Sequence, residues 1–259
     1  MRVSVTGRPG ELPIVGLDHE ATSFSLTFVV TGATPAGTDG GFQQMEANLE
    51  ALSALLGTRN RLMSLRYQAG SIVRIADVTI TAASEPEIWV GAARARFSVV
   101  VEVPGVYWRD EAEATWQGSV TAPDQVVTTL AGSTAPITDA LIRVTGPATN
   151  FTLTDMASGG SIGMTVFLAN VIPEGQRLLI DAAAQRAALV GTDTWDLDGG
   201  TDRTGAMVVS GPGSATRWIH LTPAIALGDP FSRAVIVSCS ATATTSESAV
   251  EIRARRAYL

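Results

Sequence analysis

Between residues 21 and 30 polar and apolar positions alternate, strictly so from Ser23 to Phe28. Phe24, Leu26, Phe28 and Val30 fall on one face, and Ser23, Ser25 and Thr27 fall on the other. A period of two belongs to a strand with one buried side, so a half-buried strand is predicted here. The period then changes. After a loop at 32–41 rich in Gly, Thr and Pro, where Asp39 is placed to cap a helix, Phe42, Met45, Leu49, Leu52 and Leu56 recur at alternating intervals of three and four. That stripe predicts an amphipathic helix over 42–56, with Gly57 as its stop.

Strand patterns resume at 62–67, 73–82 and 88–103, with turns at Gln68-Ala69-Gly70 and Ser84-Glu85-Pro86. In the last of these strands Ala93, Ala95, Phe97, Val99, Val101 and Val103 share a face, while Arg94, Arg96, Ser98 and Glu102 take the other. A face bearing Arg94, Arg96 and Glu102 fits either solvated surface or a subunit contact. The charged run Arg109-Asp110-Glu111-Ala112-Glu113 breaks the alternation and marks a domain boundary, giving an N-terminal domain at 1–109 and a second at 110–259. Beyond it, short strands are predicted at 141–145, 151–154, 162–168, 177–180, 187–190, 206–209, 217–221, 234–240 and 249–257. Turns fall at Gly146-Pro147, Ser158-Gly159-Gly160, Pro173-Glu174-Gly175 and Asp198-Gly199-Gly200, a spacing that predicts a β-sandwich.

Composition narrows the picture without changing it. With 46% hydrophobic residues, 25 Gly and 12 Pro in 259 residues, the chain can bury a core and make many turns. No run reaches the ~18 apolar residues that span a bilayer, and Met1-Arg2-Val3-Ser4-Val5 offers no signal-peptide core, so no membrane role is expected. All 18 basic residues are Arg, a bias that genome composition explains ahead of the suitability of Arg for bidentate carboxylate pairing and interfaces. The net charge of −7 argues against gripping a nucleic acid backbone.

Candidate chemistry is sparse. Cys239 is the sole cysteine and lies in Val235-Ile236-Val237-Ser238-Cys239, which predicts a small buried hydrophobe. His19 falls in a polar turn and His220 in strand-like Trp218-Ile219-His220-Leu221, and both are assigned structural roles. Asp193, Asp196, Asp198 and Asp202 form the richest carboxylate cluster. Their spacing fails a calcium-loop pattern, and Asp with Gly makes turns, so a turn is expected rather than a metal site. Glu111 and Glu113 lie in the expected linker, and Gly211-Pro212-Gly213-Ser214 lacks the Lys of a phosphate cradle. The tryptophans 89, 108, 116, 195 and 218 do not cluster, which favours core or interface filling over stacking on sugars. No cofactor, metal or catalytic residue is expected, and the chain is not expected to be an enzyme.

Some stretches carry a resemblance to a known family. They include the helix at 42–56 leading into Arg61-Leu62-Met63-Ser64-Leu65-Arg66-Tyr67, the strand closing at Val106-Tyr107-Trp108-Arg109, and Ile142-Arg143-Val144-Thr145-Gly146-Pro147. Pro173-Glu174-Gly175-Gln176-Arg177-Leu178-Leu179-Ile180-Asp181 and the ending Ile252-Arg253-Ala254-Arg255-Arg256-Ala257-Tyr258-Leu259 follow in the same order. So arranged, the chain resembles the distal tail (Dit) proteins of siphophage-type long-tailed bacteriophages and gene-transfer particles. The resemblance implies a mainly β protein with a split-barrel-like N-terminal domain bearing one helix and a galectin-like C-terminal β-sandwich. It implies a homohexameric ring at the tail tip of the virion, made in the host cytoplasm, that joins the tail tube to the host-adsorption apparatus. Implied partners are the tail tube protein, the tape measure protein and the tail-associated protein below the ring, with DNA passing through the lumen unbound. Six copies at −7 would total −42, a sign that keeps DNA from sticking. Some relatives carry inserted carbohydrate-binding modules, for which 259 residues leave no room. A carbohydrate-binding adhesin of a phage tail is the alternative, and it would use an exposed Trp195 or Trp218.

Overall fold

The computed structural model describes residues 21–57, 61–164, 170–211, 218–226 and 229–259. His19, Arg217, most of Gly211-Pro212-Gly213-Ser214 and the end of the strand expected at 162–168 lie outside them. The described residues divide into two compact units, one ending at Trp108 and one beginning at Arg109. The protein is mainly β, with a single α-helix among the described residues. No helix there is long and apolar enough to cross a membrane.

The N-terminal unit contains β1 (Thr22–Thr31), α1 (Gly41–Leu56), β2 (Met63–Ala69), β3 (Ile72–Ala83), β4 (Glu87–Trp89) and β5 (Arg94–Val103). Strand β5 is central: β1 pairs antiparallel along its whole length, from Thr22 opposite Val103 to Thr31 opposite Arg94. Strand β3 pairs with β5 at Thr79–Ala83, β4 with β5 at Arg94–Arg96, and β2 with β3. The alternation dictates the core. Ala95, Phe97, Val99, Val101 and Val103 are buried, with Phe24, Leu26 and Phe28 of β1 packed against them. Phe28 stacks on Phe97 with ring centroids 5.5 Å apart.

Helix α1 lays its expected stripe on this face: Met45 is fully buried, and Phe42, Leu49, Leu52 and Leu56 pack around the same cluster. Asp39 does serve the helix start, accepting the Gly41 N–H at 2.9 Å, although Gly40 occupies the cap position. Gly57 ends the helix in an ordinary helical conformation at φ −74°, so it is not the left-handed stop that glycine usually supplies. The strand expected over 88–103 is in fact two. A 3₁₀ turn at Val90–Ala92 separates β4 from β5, and Ala93 adopts the left-handed region at φ 46°. Period alone could not show this, because Ala93 keeps the apolar phase while the backbone turns.

The C-terminal unit is a β-sandwich. One antiparallel sheet orders the strands Met207–Ser210, Ser161–Met164, Ala148–Asp155, Ile236–Thr242 and Gln125–Val126, with Val171–Ile172 added beside Ala148–Asp155. The other orders Thr201–Asp202, Arg186–Val190, Arg177–Asp181, Leu141–Thr145, Ala249–Ala254 and Ala114–Ser119. Phe151, Leu153, Ile142, Val144, Leu178 and Ile180 are fully buried between turns the sequence marked. The strand at 114–119 was not expected, because of its inward residues Ala114, Trp116 and Gly118 only Trp116 is large and apolar. Conversely, residues 218–220 form no strand, and Leu221 makes only an isolated bridge to Ile137.

Two clasps hold this unit. Asp110 accepts Arg256 Nε at 2.5 Å and the Tyr258 hydroxyl at 2.8 Å, and its backbone N–H donates to the Arg256 carbonyl. Asp155, with no solvent exposure, accepts the N–H of Ser158 at 2.9 Å and of Thr222 at 3.1 Å, tying a hairpin turn to the 218–223 segment. Burial pushes the Asp155 carboxyl above its ordinary value, and these bonds only partly oppose it. Its native value therefore exceeds its unfolded one. The stability it contributes is full below the unfolded value and is lost as pH rises through the native value. The unfolding free energy of wild type minus that of Asp155→Asn should shrink as pH rises from strongly acidic to neutral. A pH-independent difference in urea titrations would contradict this.

Cys239 is buried in the strand Ile236–Thr242, as its apolar setting predicts, and burial raises its thiol to about 12. The folded protein should thus resist a neutral-pH thiol reagent and react fully once denatured; prompt labelling of native protein would refute that burial.

Candidate interaction surfaces

Arg94, Arg96 and Glu102 lie on the outward face of β5, but the strand does not bring them together. Arg94 stands opposite Thr31 and Trp89, and Arg96 stands between Val29 and Glu87. Glu102 is eight residues beyond Arg94 and six beyond Arg96, roughly 26 and 20 Å along the strand at ~3.3 Å per residue, opposite Ser23 and Thr79. Between them the face is Ser98 and Val100, flanked by Thr27 and Ser25. Weakly polar and sparsely charged, it suits a contact surface that must not be fully desolvated at cost.

Three further features of this unit escape sequence reasoning. Among the described residues β1 (Thr22–Thr31) pairs with a strand on one side only, which leaves a border with no charge and no proline, while at its end the Thr31 carbonyl accepts the Asn48 amide of α1 at 2.9 Å. Natural edge strands are normally protected by charges, prolines or bulges, so an unprotected border is a template for another chain. Second, an apolar cleft of about 590 Å³ opens between the C-terminal half of α1 and the sheet. Leu26, Phe28, Val99 and Val101 line it, and Leu55 and Leu62 stand 62% and 52% exposed beside it. Third, Ile88, Trp89 and Val90 form a contiguous apolar tip, exposed by 47%, 46% and 65%. Exposed large apolar residues clustered in this way mark association surfaces. Only the edge strand had a usable signal, namely the absence of any charge from residue 21 to residue 31.

In the sandwich, the Asp-rich loop is a clamp. Arg143, buried at its centre, donates Nε and an Nη to the two Glu251 oxygens at 2.7 and 2.9 Å, and its other Nη to Asp193 at 2.5 Å. The Trp195 ring lies over the same guanidinium, 4.4 Å from centroid to Cζ. The Glu251 bonds, more than the opposing desolvation, keep Arg143 protonated above its ordinary value. Asp198 faces Arg186 at 3.5 Å, while the Asp196 and Asp202 carboxylates accept the N–H of Asp198 and Thr204 in tight turns. The turn expected from the sequence is therefore present, with arginine as its chief partner. Trp195, which the adhesin alternative needs exposed, has one ring face covered by Arg143, and Trp218 is half-buried. His220 sits next to buried Ile219 and is itself half-buried.

No protein-family model matches the chain, and no curated protein matches it by sequence. Solved structures do. The Dit protein (gp 19.1) of phage SPP1, described as a paradigm of the hub adsorption apparatus in phages infecting Gram-positive bacteria, aligns with a TM-score of 0.57 and 15% identity. The alignment covers 100% of this chain and 87% of that one. A phage P2 baseplate in its activated conformation with Ca aligns at a TM-score of 0.36 and 7% identity, over 98% of this chain and 85% of that one. The first of these likenesses extends over both units and is a likeness of fold.

Proposed function

We propose that this chain is a structural component of a phage tail, a Dit-like hub whose copies join side by side into a ring. The observation that carries this reading is the uncharged border of β1, which no strand among the described residues covers. A long strand border without charge, proline or bulge is a ready template for pairing with another chain. A ring needs a heterologous contact, one border against a different border of the next copy. The N-terminal unit supplies a second one in β2, which pairs only with β3 among the described residues. The Dit fold over the whole chain supports the same reading.

In this arrangement about six copies enclose a lumen, with the tail tube and tape measure proteins above and the tail-associated protein below. The Ser- and Thr-rich outward face of β1 and β5, with Arg94, Arg96 and Glu102, meets a neighbouring subunit. The role is architectural, and DNA traverses the lumen without being held. The sandwich is a rigid appendage clamped by Arg143.

Electron microscopy of purified particles with gold-labelled antibody tests the location. Label should gather at the tail end distal to the capsid. Label on capsids, or particles that lack the protein, would reject the proposal.

A further inference from the structure

Resting on that ring reading, we infer that each copy seats its apolar tip, Ile88-Trp89-Val90, in the α1–sheet cleft of the next copy. The two surfaces match in chemistry. The tip offers three large apolar side chains, and the cleft offers apolar walls and an apolar lip at Leu55 and Leu62. Their flanking charges are opposite: exposed Glu85 and Glu87 precede the tip, while exposed Arg61 borders the cleft.

The tip cannot fill its own cleft. Ile88 pairs with Ala95 and Trp89 with Arg94 of β5, whereas Val99 and Val101 of that strand line the cleft. Four to seven residues of extended strand separate them, roughly 13–23 Å. The tip lies on the side of β5 away from β1, because β1 takes one border of Arg94–Val103 along its whole length. The cleft spans both sides of β5, with Leu26 and Phe28 of β1 in one wall and Met63 and Leu65 of β2 and Val78 and Ile80 of β3 in the other. Tip and cleft are thus separate, unlike surfaces of one unit, as a heterologous head-to-tail ring contact requires. The cleft also adjoins the strand whose open border supports the ring reading, so one neighbour would cover both.

Covalent trapping tests this. Cys239 is buried and stays silent, so cysteines placed at Leu55→Cys and Val90→Cys report alone. Under mild oxidation the double variant should run on a non-reducing denaturing gel as a ladder of multiples of 27.0 kDa. The two single variants mixed should stop at a dimer, and each alone should stay monomeric on the gel. Assembled rings that yield no ladder overturn the tip-in-cleft contact and leave the ring reading standing. Protein that never exceeds 27.0 kDa in solution, alone or mixed with the tail tube protein, overturns both. Independently, Trp89→Asp should abolish the assembled mass with an unchanged circular dichroism spectrum. Unaltered assembly in that variant would also overturn the contact.

Discussion

Val29→Lys is expected to leave the N-terminal unit folded and to remove its ability to assemble. Val29 is 60% exposed on the outward face of β1, in a strand whose free border carries no charge. Its neighbours in register are Arg96 on β5 and, in a ring, whatever strand the next copy presents. A lysine there loses a small apolar contact, places a cation beside Arg96, and introduces the protection that natural edges use against pairing. The core-facing residues Phe28 and Val30 are untouched, so the intramolecular cost should stay near ~0.5–1 kcal/mol. An unpaired or like-charged group at a repeated contact costs several kcal/mol, and ~3 kcal/mol already weakens each contact more than 100-fold. Val29→Thr, which keeps the edge neutral and β-branched, should assemble as wild type does. Size-exclusion chromatography with light scattering separates these outcomes. A lysine variant that assembles normally would show that β1 is not the joining border.

The second large effect concerns stability rather than assembly. Arg143→Ala should destabilise the sandwich by about 2–4 kcal/mol, because it strands the Glu251 carboxylate, only 17% exposed, without its bidentate partner. It also removes the surface on which Trp195 rests. Asp193→Asn breaks a bond of similar length to the same guanidinium, yet Asp193 is 70% exposed and solvent replaces the arginine readily. Its cost should be within about 1 kcal/mol. Urea unfolding followed by tryptophan fluorescence would measure both. Equal costs for the two substitutions would mean that the clamp is not organised around the buried pair.

These expectations differ in how much of their basis the sequence carried. Alternation from Phe24 to Val30 and the stripe from Phe42 to Leu56 specify which faces are buried, because strand and helix periods act through a few residues at a time. The sandwich turns at Gly146-Pro147 and Pro173-Glu174-Gly175 are legible for the same local reason. Partners far apart in sequence are not. Arg143 and Glu251 stand 108 positions apart, and nothing in Ile142-Arg143-Val144 says that an arginine between two buried residues meets a carboxylate on an adjacent strand. The turn at Ala93 was hidden because alanine keeps the apolar phase while entering a conformation that usually calls for glycine. The cleft was invisible for another reason: it is a gap between elements, and sequence patterns describe elements. Arg94, Arg96 and Glu102 were correctly placed on one strand face. Strand length, a simple product of residue count and rise, is what keeps Glu102 away from the other two.

The most direct test of the whole account is the mass of the purified protein in solution at high concentration, by sedimentation or light scattering. A closed species of about six times 27.0 kDa is expected, which Val29→Lys reduces to one copy. A wild-type protein that stays at 27.0 kDa at every concentration, and also when mixed with the tail tube protein, would contradict it.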